Sequence, residues 1–186
     1  MPALVLTNTR ASTPCQMRSW HPDGRRQELC IRRLWSVQLT LPFVGYNTKG
    51  ERLVAGVVPL TADKYYVMLI QSTRRKGWVL PKGGWELDEE CHEAAAREAW
   101  EEAGIVVQIN YDLGDIQDTR PPKKNSTKEK ERSLYRFFEA TVTSEEPEWP
   151  EKDKRERKWY TYAQASELLK ERPELQAALD LSTIKR

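Results

Sequence analysis

The sequence lacks the features that mark membrane, secreted and zinc-binding proteins. It contains no run of about 18 apolar residues, which excludes a transmembrane helix. Its first residues, MPALVLTNTR, show no charged start followed by an apolar core, so a secretory signal is not indicated. The cysteines Cys15, Cys30 and Cys91 form no CxxC pair and no even disulfide framework. We therefore expect reduced thiols, no membrane contact and a cytoplasmic location, with the nucleus as a second compartment.

The length and composition predict one ordinary domain with tails. The chain has 186 residues, 39% hydrophobic and 31% charged, with a net charge of +2. Residues 1–45 show no sustained periodicity and are expected to form a partly disordered extension, although the acid-free first 22 residues resemble a transit peptide weakly. Residues 46–172 are expected to form the domain and residues 173–186 a helical tail. A monomer is expected.

The order of the periodic segments indicates an α/β (α+β) fold with a mixed β-sheet between helices. β-Branched and aromatic runs predict two antiparallel strands, 53–60 and 65–70, around a turn, and further strands at 105–109, 133–142 and 159–162. WVLPKGG predicts a short strand that is broken by proline and glycine. A helix follows, with Asp88 as its N-cap and Gly104 at its end, and AQASELLK predicts a second helix before Pro173. Residues 121–132 are charged and predict an exposed basic loop.

The segment REAWEEAG, residues 97–104, concentrates negative charge on one side of the predicted helix. Glu98, Glu101 and Glu102 stand at i, i+3 and i+4, where like charges repel. Alanines and a tryptophan occupy the other side, so we expect one packed face and one acidic face. A solvated helix face usually carries lysines that offset such repulsion, but none occurs between Gly83 and Gly104. The acidic face therefore calls for a cation.

The residues before this helix indicate which cation. Lys82, Gly83 and Gly84 form a basic, glycine-rich stretch that lets another group approach the backbone closely. Carboxylate ligands without histidine or cysteine favour Mg²⁺ or Mn²⁺, and Mg²⁺ commonly bridges carboxylates and substrate phosphates. Residues 82–102 therefore predict a site for a divalent metal and a phosphate.

These residues resemble a known family motif. Gly83, Glu89 and the segment REAWEEAGI match the Nudix box, GX5EX7REUXEEXGU with U apolar, at every fixed position. The one departure is Ala99 at the first U, where a bulkier aliphatic residue is usual. Over these 23 residues the chain resembles the Nudix hydrolase family.

The resemblance implies a fold, a reaction and roles for residues. It implies an α/β/α sandwich and a phosphohydrolase that acts on a diphosphate linked to a further group. It places the metal ligands at Glu98, Glu101 and Glu102 and implies that Arg97 orients these ligands by ion pairing. Catalytic roles are thus expected for Glu98, Glu101 and Arg97, and Glu89 is expected to be structural. We favour Glu101 as the general base, while the family places its base variously within or outside the box.

The flanking segments resemble one branch of the family. RLVAGVVPL, WVLPKGGWELDEE and KRERKWYTYAQASELL together resemble diphosphoinositol polyphosphate phosphohydrolases, particularly the fungal enzymes that also cleave diadenosine polyphosphates. Such a substrate has many negative charges, so its site should be rich in cations and poor in stacking aromatics. The phosphates are expected to contact mainly basic side chains and glycine backbone, at Arg52, Ser72, Arg74, Lys82, Gly83, Gly84, Arg132, Arg155 and Arg157.

The sequence is compatible with other functions. Capped mRNA would use the same basic residues along its backbone, and inorganic polyphosphate is a further substrate. A non-catalytic module that binds polyanions is the third alternative. The intact set of glutamates weighs against it, because unneutralised carboxylates impede the binding of an anion.

Overall fold

A computed structural model of the chain describes residues 45–119 and 132–186. The N-terminal extension predicted for residues 1–45 falls outside the described residues, apart from residue 45. The basic loop predicted for residues 121–132 also falls outside them, apart from Arg132. The rest of the predicted domain, residues 46–119 and 132–172, and the helical tail lie within the described part.

Seven strands of the described residues form one mixed sheet, as predicted. They are β1 (Arg52–Leu60), β2 (Val67–Gln71), β3 (Trp78–Val79), β4 (Lys82–Gly84), β5 (Ile105–Gln117), β6 (Ser133–Glu145) and β7 (Arg157–Tyr160). The main path of the sheet runs β3-β2-β1-β6-β5, while β4 pairs with β1 and β7 pairs with β2. β1 and β6 are parallel, and the other pairs are antiparallel.

β1 is the central strand, and its sequence explains why. Residues 54–60 are all buried, so the strand carries apolar side chains on both faces instead of alternating. The register Leu60↔Val67 joins β1 to β2 around the turn that the sequence predicted. The opposite part of β1, Val54 to Gly56, pairs with β4 and holds the glycine stretch beside the core.

The helices are α1 (Cys91–Ala103), α2 (Tyr162–Leu169) and α3 (Pro173–Leu181). The predicted N-cap of α1 was wrong, because Glu90 caps the helix instead of Asp88. The Glu90 side chain and Glu93, three residues later, form a reciprocal capping box with the backbone. Gly104 ends the helix in the left-handed conformation with φ 60°, as its position predicted.

β5 and β6 are longer than the sequence indicated. The prediction ended β5 at residue 109, but the strand continues to Gln117 opposite β6. Register shifts between Val106 and Val107, and at two later points, interrupt the alternation of apolar and polar residues. These irregularities remove the period-two pattern from which a strand is predicted.

α3 contributes to the same core as the sheet. Leu175, Ala178 and Leu179 are buried in the main hydrophobic cluster, together with Leu169 of α2. Among the described residues, no helix has both the length and the apolarity that a membrane span requires. β4 and α1 are in contact beside this core.

Candidate active site

Glu98 lies inside the structure rather than on a separate acidic face. It is 8% exposed, and it shares its buried side of α1 with Ala94, Ala95 and Ala99. The expected division into a packed face and an acidic face was therefore wrong for this residue. A Cβ atom built on Gly83 would lie 2.0 Å from the carboxyl carbon of Glu98. The missing side chain of Gly83 makes the space that this carboxyl group occupies.

Arg97 connects the acidic residues of α1 to the segment before the helix. Its Nη2 and Nε donate hydrogen bonds to the two carboxylate oxygens of Glu89, at 2.7 and 3.0 Å, and Nη2 also donates to the carbonyl of Gly84. Its Nη1 lies 3.0 Å from Glu98 Oε1 and 3.5 Å from Glu101 Oε2. One guanidinium group therefore holds two glutamates of the helix and the residue expected to be structural.

Glu102 receives two contacts from outside the helix. The backbone N–H of Lys82 donates to Glu102 Oε2 at 2.8 Å, and Arg155 Nη2 lies 3.0 Å from Glu102 Oε1. The side chain of Glu102 is 12% exposed, and that of Glu101 is 37% exposed. Glu101 is thus the most accessible of the three glutamates to solvent.

Burial opposes the charged form of all three glutamates. Burial and then the charge of Glu102 raise the pKa of Glu98 to about 7. Burial also raises the pKa of Glu101 and of Glu102, although Arg97 and Lys82 act in the opposite direction. Burial lowers the pKa of Lys82 to about 8 in spite of the attraction of Glu102. The three partly buried glutamates therefore lie close together, and a bound cation would offset their negative charges.

The donor set fits a hard divalent cation. Three carboxylates with raised pKa values lie on one helix. Because Gly83 has no side chain, the carboxyl group of Glu98 lies directly against the backbone of β4. In the part of the chain that the structure describes, however, no three acidic, histidine or cysteine side chains converge on one point. Arg97 and Arg155 instead hold the oxygens that such a cation would contact.

The backbone of β4 is only partly available to a phosphate. Gly83 lies opposite Ala55 in the antiparallel ladder, between hydrogen bonds that join Val57 to Pro81 and Trp85 to Leu53. Hydrogen-bonded pairs alternate along an antiparallel ladder, so the N–H of Gly83 points to β1 and takes part in the pairing with Ala55. The N–H of Gly84 points the other way, as does that of Lys82. Of the two glycines predicted to bind phosphate, only Gly84 has an N–H that points away from β1.

The two arginines before Trp159 have structural partners. Arg157 Nη1 donates to the carbonyls of Ala103 and Gly104, its Nη2 donates to the carbonyl of Glu146, and the guanidinium lies 4.3 Å from the ring of Trp149. It therefore caps the C-terminal end of α1, a structural role that the prediction of a substrate contact did not include. The side chain of Arg155 is 8% exposed and faces Glu102 and Glu151, not solvent.

The remaining predicted substrate contacts are nearer the surface. Arg74 is exposed in the turn between β2 and β3, and the hydroxyl of Ser72 accepts a hydrogen bond from the N–H of Arg75 in this turn. Arg52 and Arg132 are brought together because the N–H of Arg52 donates to the carbonyl of Arg132. Of the predicted basic residues, the structure places Lys82 and Arg155 beside the glutamates.

Sequence reasoning missed Glu151. Its Oε2 lies 2.5 Å from Arg155 Nη2, and its charge adds to the raised pKa of Glu101 and Glu102. The spacing of i and i+4 in EKDKR could have indicated the ion pair. The pair's proximity to α1 depends on the fold and has no local signal.

Comparisons with known proteins place this site in a family context. The model of the NUDIX domain family matches residues 50–181, beyond the boundary at 172 that the sequence suggested. Nudix hydrolase 21, chloroplastic, of Arabidopsis thaliana is 39% identical over 66% of this chain. The match spans 62% of that relative's own length.

Two further proteins are similar to the chain. Diphosphoinositol polyphosphate phosphohydrolase 3-alpha of Homo sapiens is 30% identical over 67% of this chain and 73% of its own. The crystal structure of C. elegans Ap4A hydrolase has a TM-score of 0.50 and 21% identity, and the match covers 69% of this chain and 93% of that one. The latter likeness supports the fold.

Proposed function

Because the chain belongs to the NUDIX domain family, we propose that it is a metal-dependent phosphohydrolase that cleaves the diphosphate bond of diphosphoinositol polyphosphates. Diadenosine polyphosphates are proposed as second substrates. The observation that carries the proposal is the arrangement of Glu98 and Glu102 against β4, with Lys82 beside them and Glu101 on the same arginine as Glu98. We keep as predictions the monomeric state and the cytoplasmic and nuclear location.

The metal would be Mg²⁺ or Mn²⁺ held by the three glutamates. A bound divalent cation neutralises charge on the phosphoryl oxygens and lowers the pKa of water. Arg97 orients Glu98 and Glu101 through its ion pairs, and Glu89 fixes Arg97. Glu101, the most accessible carboxylate, accepts the proton of the attacking water.

The cations of the β2–β3 turn favour a substrate with many phosphates. Arg74, Arg75 and Lys76 are exposed, and no ion pair joins them to another described residue. Because their charges are not neutralised, they are available to phosphate groups. The Lys82 ammonium lies deeper, near Glu102, where it can contact the phosphate that is cleaved.

The aromatic residues weigh against a site built to stack a base. Phe137 and Phe138 are buried, and Trp78 and Trp159 pack against the core. Their packing contributes to the core and not to the binding of a base. The relative that is named for diphosphoinositol polyphosphates supports the same substrate class.

A substrate panel tests the proposal. The full chain is incubated with Mg²⁺ and, in parallel, a diphosphoinositol polyphosphate, diadenosine hexaphosphate, capped RNA and inorganic polyphosphate. We expect the highest kcat/KM for the diphosphoinositol polyphosphate and measurable cleavage of the dinucleotide. Preference for capped RNA or polyphosphate would replace the proposed substrate, and binding of all four without cleavage would indicate a polyanion-binding module.

A further inference from the structure

Arg155 bridges the candidate metal site and a carboxylate outside the Nudix box. Its Nη2 lies 3.0 Å from Glu102 Oε1 and 2.5 Å from Glu151 Oε2. The side chain of Arg155 is 8% exposed, so solvent screens these charges weakly. One nitrogen atom is thus shared between two carboxylates that lie on separate segments of the chain.

The contact with Glu151 is incomplete in this arrangement. Arg155 Nε and Glu151 Oε2 are both buried, and neither makes a hydrogen bond with any described residue. Nη2 is nearer to Glu151 Oε2 than to Glu102 Oε1, but both contacts are ion pairs without the alignment that a hydrogen bond needs. A two-pronged pairing of the guanidinium with the Glu151 carboxylate would satisfy both atoms. Such a pairing competes with the contact to Glu102.

The local backbone allows the guanidinium to change partner without a loop movement. The N–H of Arg155 donates to the carbonyl of Glu151 at 3.2 Å, and the two residues form one helical turn before β7. Their side chains therefore lie on the same side of the turn. Because Nη2 already lies closer to Glu151 than to Glu102, the loss of the contact with Glu102 requires no change of the loop.

A divalent cation would favour this change. Glu102 already has the Lys82 N–H on one oxygen and Arg155 on the other. A cation at Glu102 would repel the Arg155 guanidinium at short range, whereas Glu151 would still attract it. We propose that Arg155 is a positioning residue that holds Glu102 as well as Glu151 in the metal-free protein and transfers wholly to Glu151 when a divalent cation binds. This inference rests on the proposed function, since it supposes a cation at Glu102.

Calorimetric titration with Mg²⁺ alone tests the transfer. Glu151→Gln should weaken Mg²⁺ binding by about tenfold, which corresponds to roughly one charge-assisted hydrogen bond. Arg155→Met should tighten binding, because the competing cation is gone, and should lower the Tm of the metal-free protein. Glu148→Gln and Lys152→Met, an exposed pair on the same loop, control for net charge and should change the Kd little.

The double variant separates an indirect role of Glu151 from direct metal binding. In the Arg155→Met background, Glu151→Gln should no longer weaken Mg²⁺ binding, because Glu151 acts through Arg155. If Arg155→Met does not fold, Arg155→Lys keeps the positive charge but lacks the planar guanidinium that binds a carboxylate through two nitrogens. In that background, the effect of Glu151→Gln on the Kd for Mg²⁺ should be smaller.

Three results would overturn the inference. The first is a Kd of Glu151→Gln equal to that of Glu148→Gln, and the second is an undiminished effect of Glu151→Gln in the Arg155→Met background. In both cases the metal-dependent function would stand. The third is a wild-type chain that binds no Mg²⁺, which would remove the proposed function as well.

Discussion

The carboxyl group of Glu98 lies against the backbone of Gly83, with no room for a side chain between them. A Cβ atom at residue 83 would lie 2.0 Å from the carboxyl carbon, far inside normal van der Waals contact. The φ angle of Gly83 is not positive, so its backbone conformation does not require glycine. The close approach of the Glu98 carboxyl group does. The contact joins the strand before the helix to a predicted metal ligand.

Gly83→Ala should displace the Glu98 carboxylate and abolish hydrolysis. The overlap should lower the free energy of unfolding by about 1–3 kcal/mol, the range typical of overpacked cores. In a Glu98→Ala background the same substitution should cost much less, because the overlapping carboxylate is absent. Chemical denaturation of the four proteins of this cycle measures the coupling. Equal costs in both backgrounds would mean that the two residues do not meet.

The stability of the metal-free protein should fall as the pH rises from about 4.5 to about 7. The ordinary pKa of a glutamate side chain is 4.5, and burial together with the charge of Glu102 raises the pKa of Glu98 in the folded state to about 7. Within this window the folded state binds more protons than the unfolded state, so deprotonation opposes folding. Each unit of difference between the two pKa values corresponds to about 1.4 kcal/mol.

Urea denaturation between pH 4 and 8 measures this dependence. The Glu98→Gln protein, which has no titratable group at residue 98, should show a flatter profile than the wild type. Saturating Mg²⁺ should reduce the loss, because a cation favours the ionised carboxylate. Identical profiles for the wild type and Glu98→Gln would contradict the burial of a titrating Glu98.

The sequence predicted the parts of the fold that have local patterns. β1 and β2 have continuous apolar runs, and Gly104 has the position of a helix-ending residue, so these elements were predicted correctly. The extension of β5 beyond Ile109 was missed because register shifts break its alternation. The Nudix box likewise indicated the glutamates from spacing alone.

The contacts that determine each side chain's role could not be predicted from spacing. Arg157 and Ala103 are separated by 54 positions, and their hydrogen bond depends on how β7 lies beside the end of α1. Glu98 was expected on an acidic face opposite the packed face, but the approach of Gly83 buries it. Ion pairs and burial of this kind arise from tertiary packing, which leaves no local signal.

Arg157→Met should destabilise the fold more than it weakens substrate binding. The substitution removes the donor to the carbonyls of Ala103, Gly104 and Glu146, so the free energy of unfolding should fall by about 2–4 kcal/mol. KM of the folded fraction should stay near the wild-type value. Lys158→Met, on an exposed neighbour, is the control. A raised KM with unchanged stability would instead support the predicted substrate contact of Arg157.

Arg74→Ala should raise KM for a diphosphoinositol polyphosphate and leave the fold stable. Because Arg74 is exposed, the substitution removes one phosphate contact that salt screens. The difference in KM between the variant and the wild type should therefore shrink as salt is added. Steady-state kinetics at low and high salt measure it. Lys170→Ala removes an exposed lysine of comparable charge after α2 and should have little effect. Equal KM values for the two variants would exclude Arg74 from the substrate site.

Glu102→Gln gives the most direct test of the metal-dependent mechanism. Glutamine keeps the shape of the side chain and a carbonyl oxygen for the Lys82 N–H, while it removes the negative charge. Circular dichroism and Tm establish that the variant is folded. The measurement is the release of orthophosphate from a diphosphoinositol polyphosphate in Mg²⁺, by the wild type and the variant.

We expect Mg²⁺-dependent turnover by the wild type that stops when the metal is chelated. The folded Glu102→Gln protein should be slower by more than about a hundredfold, since a ligand that places charge at the reacting phosphate is gone. Undiminished turnover by Glu102→Gln, or by the wild type with chelator, would contradict the account.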